Sequence, residues 1–323
     1  MTSAKSVRYN WIDWSKSIAI FLVIWGHVPM QSETHTIIYS FHMPLFFLIS
    51  GYLYNPKGTI KEELYKDLKT LLLPYLIYQF IFYPYWFVRE LIVPHQVINI
   101  HNSIIHPLIQ SLSSDPINGP TWFIYCLFMI KIYSYTIQKK QSIYWLTAGI
   151  SSLVSILICY WLNQHSIYGT YATHSFFALQ IFFFTGQALK RTKITNIANS
   201  LHQSIIWLIL STVSFATFFS SNYTTLPEIV NFHLLGFTGS CMILGIGFIL
   251  NQITSTINYN VSIGTMVILG IHWMFIGVFN FAIKKYLHID NITYSTFIAF
   301  IISLLRDIPK IIKFKATNSL RVS

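Results

Sequence analysis

Apolar runs about twenty residues long recur along almost the whole chain, and nothing constrains its fold more. As an α-helix rising about 1.5 Å per residue, such a run crosses a hydrocarbon layer about 30 Å thick. The 323 residues are 54% hydrophobic and only 10% charged, where soluble domains carry about a quarter charged residues. Candidate spans fall near 14–30, 37–54, 71–93, 119–137, 143–162, 175–189, 204–220, 229–250, 262–283 and 292–309. Hydrocarbon offers no water to backbone N–H and C=O groups, so each run must be helical. The reading is an all-α polytopic membrane protein of about ten transmembrane helices, one domain over 1–323 with no separate soluble part. Pro74 and Pro84 predict a kink in the third span.

The net charge of +11 could suggest a nucleic-acid partner. The basic residues instead form short clusters between apolar runs, which is the membrane pattern. Lysines and arginines gather at Lys5, Arg8 and Lys16, at 57–69, at Lys139–Lys140, at 190–193 and in the tail. The connections 31–36, 94–118, 163–174 and 221–228 contain none. By the positive-inside rule both termini are cytoplasmic; Lys284 and Lys285 fall on the other side and disagree. The connection 94–118 has room for an interfacial helix around Ser103–Leu112. Cys126, Cys159 and Cys241 lie inside apolar runs without metal-ligand spacing and read as small buried hydrophobes.

Ionisable residues inside spans are the second constraint, because each needs a polar neighbour. The first span, within Asn10–Met30, carries Asp13, Lys16 and His27. Lys16 and His27 stand roughly 1100° apart along a helix, so they differ by only about 20° around it, and Asp13 lies about 40° from His27. One stripe of a greasy helix is therefore polar. Lys16 sits roughly 16 Å below His27, which places the histidine at or beyond mid-membrane. A neutral imidazole there can act as a general base, or it can be a packed interhelical residue. His42 begins the second span across a short turn, at a similar depth. His272 lies in the middle of the ninth span. Arg89 and Glu90 near the outer end of the third can neutralise each other, snorkel or meet substrate. Trp122 suits an aromatic belt or a sugar-stacking platform. His95, His101, His106, His165 and His174 lack paired metal-ligand spacing and read as solvated; no metal site is expected. Phosphate-cradling glycine loops, His-Glu-x-x-His and Gly-x-Ser-x-Gly elbows are missing from the sequence.

Several stretches resemble one family. Ile12-Asp13-Trp14-Ser15-Lys16 with Val23-Ile24-Trp25-Gly26-His27, and then Phe41-His42-Met43-Pro44-Leu45-Phe46-Phe47-Leu48-Ile49-Ser50-Gly51-Tyr52-Leu53, look like the opening motifs of the membrane-bound acyltransferase family 3. Leu73-Pro74-Tyr75, Gly119-Pro120-Thr121-Trp122-Phe123 and Ile263-Gly264 with Ile271-His272 resemble its later motifs. The first two motifs most resemble the fucose-4-O-acetylase-like branch. The resemblance implies an O-acetyltransferase of the bacterial inner membrane, using acetyl-CoA as co-substrate with no permanently bound cofactor. The acceptor it implies is a hydroxyl of a surface polysaccharide, lipopolysaccharide or lipid-linked sugar. It makes His27 the catalytic residue; because Asp13 lies about 21 Å along the helix from His27, a partner that orients His27 must come from another span, with His42, Glu90 and His272 as the candidates. Asp13 and Lys16 would serve the acyl donor, and Arg89 and Trp122 the acceptor. Many members have arginine where this chain has Lys16, which keeps the charge but not the bidentate fork.

Polar residues inside spans also suit a transporter or flippase for a glycan or metabolite, although no duplicated halves with broken helices are visible. Topology is checked with alkaline phosphatase fusions. A fusion at Gln110 is expected to be active and one at Tyr65 inactive; the reverse pattern would invert the orientation.

Overall fold

The computed structural model describes residues 8–28, 32–92, 99–112, 116–138, 143–167, 171–220 and 227–287. Every regular element among them is a helix. The long ones are α1 (Asn10–Gly26), α2 (Ser32–Leu53), α4 (Leu73–Ile92), α6 (Trp122–Gln138), α7 (Tyr144–Gln164), α8 (Tyr171–Lys190), α10 (Leu201–Ser220), α11 (Glu228–Ile249) and α12 (Thr256–Leu287). Short helices α3 (Ile60–Asp67), α5 (His106–Leu112) and α9 (Ile194–Ala198) lie between them. By length and composition six helical segments can cross a membrane: α2, the run Ile60–Ile92, α7, α10, α11 with its extension to Gln252, and α12 as far as Ala282. The run 292–309 lies outside the described residues.

Helices α1 and α6 have 17 residues each, roughly 26 Å of rise. The 20-residue α8 carries Gln180 and Gln187, which face inward. Gln180 donates to the Ser155 hydroxyl of α7, while Gln187 donates to Ser134 of α6 at 2.9 Å and accepts from Tyr144 of α7. A helix this polar is held in the bundle by these bonds to its neighbours, although Gln180 Oε1 has no partner among the described residues. By contrast, α7 and α10 expose Leu146, Ile150, Leu153, Ile209, Leu210 and Val213, an apolar outer surface suited to lipid.

Helix α1 packs against α2, α11 and α12, and α2 in turn packs against α8 and α11. Two glycines set the α2–α8 spacing. A Cβ on Gly51 would stand 1.9 Å from the Phe183 carbonyl oxygen, and one on Gly186 would stand 1.9 Å from that of Leu48. Those contacts are with backbone, so no side chain can swing away.

The third span departs from a plain helix where proline predicts it. Leu68–Leu72 forms a π-helical turn just before Pro74, whose ring would otherwise press on the Thr70 carbonyl. Pro84 lies within α4, and Pro44, for which no kink was expected, within α2. The helical stretch expected near Ser103–Leu112 is present, as a π-turn over His101–Ile105 followed by α5.

Gly186→Ala is expected to push α2 from α8 and to destabilise the protein by about 1–3 kcal/mol, read as a lower unfolding temperature in detergent. An unchanged unfolding temperature would show that the close approach is not required.

Candidate active site

The polar stripe on α1 faces α12 along its length. At one end Arg8 Nε donates to Asp13 Oδ2 at 2.6 Å, and its guanidinium lies 4.0 Å from the Tyr259 ring centroid. The Ser262 hydroxyl donates to Asp13 Oδ1 at 2.5 Å, and Lys16 Nζ donates to the Ser262 carbonyl at 2.5 Å. Asp13 and Lys16 thus share one residue of α12 and hold the two helices together. At the other end the His27 ring meets the His272 ring edge-on, centroids 5.0 Å apart.

The histidine tautomers follow from helix geometry. His27 Nδ1 lies 2.7 Å from the Val23 carbonyl oxygen, His42 Nδ1 lies 2.7 Å from that of Ile38, and His272 Nδ1 lies 2.9 Å from that of Leu269. A carbonyl only accepts, so Nδ1 carries the proton in each ring and Nε2 of the neutral imidazole is the basic nitrogen. His272 is buried and its Nε2 has no partner among the described residues. The remaining sequence candidate for orienting His27, Glu90, is half-buried on α4 and does not line the cavity described next.

A cavity of about 740 Å³ opens beside His27 and His42. Tyr39 sits between the two histidines, its ring 6.0 Å from His27 and 4.8 Å from His42. Trp122, Trp273 and Phe232 supply aromatic walls. Asn163, His174 and Glu228 bring polar groups from α7, α8 and α11. The lining uses the C-terminal ends of α1 and α7 and the N-terminal ends of α2, α6, α8 and α11. Alternating helix directions therefore gather these residues at one end of the bundle.

A buried polar network shapes one wall. Gln79 of α4 accepts from the Asn118 backbone N–H at 3.0 Å and donates to the Thr121 hydroxyl at 2.6 Å. Asn118 Nδ2 donates to the Gly270 carbonyl at 2.7 Å. These bonds tie the Gly119-Pro120 turn to α4 and α12. Gly119 then lies so close to Trp273 that a Cβ there would stand 2.8 Å from its ring.

Of the residues singled out in the sequence, His27, His42 and Trp122 share the cavity, and His272 backs His27 from behind. Asp13 and Lys16 sit apart in the α1–α12 seam. Arg89 is exposed near the end of α4 and is not part of the lining. His101, His106 and His165 are exposed, as expected, while His95 lies outside the described residues. His174, expected to be solvated, is half-buried at the cavity: its Nε2 bonds Asn163 Oδ1 at 3.0 Å and lies 3.5 Å from Cys159 Sγ. Sequence reasoning also missed the ion pair of Lys131 on α6 with Asp67, whose side chains are only 17% and 4% exposed. The sign that could have revealed it is a lone lysine inside an apolar run, which needs a partner.

A model of the acyltransferase 3 family, described as an acyltransferase domain, matches residues 9–305. No curated protein and no solved structure matches the chain.

Removing one partner of a buried pair strands the other charge, at about 3–5 kcal/mol. Asp67→Ala is therefore expected to lower the unfolding temperature sharply, and adding Lys131→Met is expected to recover much of the loss. If the double variant is no more stable than Asp67→Ala alone, the pairing is not what stabilises the α3–α6 contact.

Proposed function

The chain belongs to the acyltransferase 3 family and is a membrane acyltransferase, and from that premise we propose that it moves an acetyl group from acetyl-CoA to a sugar hydroxyl with His27 as general base. The observation that carries the reading is the Nδ1–H bond of His27 to Val23, on a ring that lines the cavity. It makes Nε2 the proton-accepting nitrogen. In the proposed reaction Nε2 takes the acceptor's hydroxyl proton, and the oxygen attacks the thioester carbon. The C–S bond then breaks, and the imidazolium returns its proton to the departing thiolate, giving CoA.

His272, edge-on behind His27, positions that ring; His42 places a second imidazole across Tyr39. Trp122 offers a face for the acceptor sugar. Arg89 could serve an acceptor only outside the cavity. Lys16 would meet the donor's phosphates from the opposite end of α1, which requires its Nζ to leave the Ser262 carbonyl. With ten passes and both termini cytoplasmic, the donor arrives from the cytoplasm of a bacterial inner membrane. The acceptor, a surface polysaccharide, lipopolysaccharide or lipid-linked sugar as in the fucose-4-O-acetylase-like branch, occupies the cavity.

His27→Ala is expected to insert normally and to lower acetyl transfer by about 10²–10⁴-fold, measured as O-acetyl content of cell-surface glycans by mass spectrometry. Full transfer by that variant would refute the proposal.

A further inference from the structure

The cavity that His27 lines also holds a group of polar side chains that the proposed chemistry does not use. Glu228 opens α11 and is the one carboxylate in the described lining. No hydrogen bond or ion pair joins it to another described residue. Asn163 ends α7 and accepts from His174 Nε2 through Oδ1 at 3.0 Å. With Oδ1 facing His174, the N–H donors of Nδ2 have no partner among the described residues. A carboxylate that accepts and an amide that donates, set among Trp122, Trp273 and Phe232, match a sugar ring. Such a ring offers hydroxyls at its rim and C–H groups on its faces.

The charge at this end is equally informative. The described lining contains no lysine or arginine. Four of the five connections on this side, 31–36, 94–118, 163–174 and 221–228, contain none in the sequence either; the fifth, beyond the run 262–283, carries Lys284 and Lys285. Arg89 on α4 and Lys285 on α12 are exposed and do not line the cavity. Phosphate and carboxylate groups are held by guanidinium or ammonium donors. Here they would find a carboxylate at the mouth and imidazoles whose Nδ1 protons are committed to backbone at His27 and His42.

We propose that Glu228, Asn163 and His174 form the acceptor subsite of this cavity, and that it takes an uncharged sugar ring while rejecting phosphorylated and uronic sugars. Glu228 accepts from ring hydroxyls, Asn163 donates to one, and His174 holds the Asn163 amide in place. The selection comes from repulsion at Glu228 as much as from attraction. The proposal deepens the acyltransferase reading, since it names the class of acceptor that the same cavity admits.

The test uses the full-length protein in detergent, without acetyl-CoA, and a matched pair of probes: a methyl hexopyranoside and its 6-carboxylate, the methyl hexuronide. Binding is read as quenching of tryptophan fluorescence, to which Trp122 and Trp273 contribute from the cavity walls. The wild type is expected to bind the neutral probe about tenfold more tightly than the uronide. Glu228→Gln should bring the two affinities within about threefold, and Asn163→Asp, which adds a second carboxylate, should widen the gap beyond that of the wild type. A uronide that binds as well as the neutral probe, a ratio unmoved by both substitutions, or no binding of either probe would overturn the assignment. Because the measurement involves no acyl transfer, selective binding in a protein that fails to acetylate would count against the proposed reaction and not against this subsite.

Discussion

An imidazole inside a membrane bundle must satisfy its polar hydrogen, and in this protein the nearest solution is the carbonyl one helical turn back. His27, His42 and His272 all adopt it. The bond commits Nδ1 to the residue's own helix and leaves Nε2 for whatever lies across the interface. What Nε2 meets then separates the histidines. The His233 ring lies between two carbonyls, that of Ile229 2.6 Å from Nδ1 and that of Ala178 2.9 Å from Nε2, so it spans α11 and α8; a neutral ring donates to one of them and the imidazolium to both. His27 presents a ring to the cavity, and His272 beside it has an Nε2 with no partner among the described residues. Four rings with one local bond in common thus differ by what lies at the second nitrogen: His233 bridges two helices, while His27 lines the cavity with His272 edge-on to it.

The cavity beside His27 needs a rigid frame, and the bundle provides it by satisfying polar groups between helices. Asp13, Lys16 and Ser262 pin α1 to α12 at the end remote from His27. Gly51 and Gly186 let α2 and α8 approach until backbone meets backbone. Gln79, Asn118 and Thr121 hold the turn that carries Gly119 against Trp273. Each fixes a helix that contributes to the cavity, so the site depends on contacts well outside it. Precise placement of reacting groups is itself worth much of a catalytic barrier.

Much of the fold could be read from the sequence because the bilayer sets one length scale and forbids open backbone. The runs at 143–162, 204–220 and 229–250 lie almost residue for residue within α7, α10 and α11. Starts were harder. Helix α1 begins at Asn10, ahead of its apolar run, because Asn10 Nδ2 bonds the Asn251 and Ile253 carbonyls at 2.5 and 2.9 Å. Those partners are some 240 residues away, and no local pattern announces them. The same limit hid the Lys131–Asp67 pair, the His174–Asn163 bond and the place of Glu228, all of which depend on which helix ends meet. The shared stripe of Asp13, Lys16 and His27 was legible because all three stand on one helix, where periodicity alone fixes their common side.

Acyl transfer at His27 Nε2, at the wall of the cavity, is the reaction proposed for this protein. It is tested most directly by an experimental structure with a non-hydrolysable acetyl-CoA analogue bound. The account predicts the analogue's acyl carbon about 3–3.5 Å from the position an acceptor oxygen takes when hydrogen-bonded to His27 Nε2. An analogue whose acyl group lies outside the cavity, with His27 facing away from it, would contradict the account.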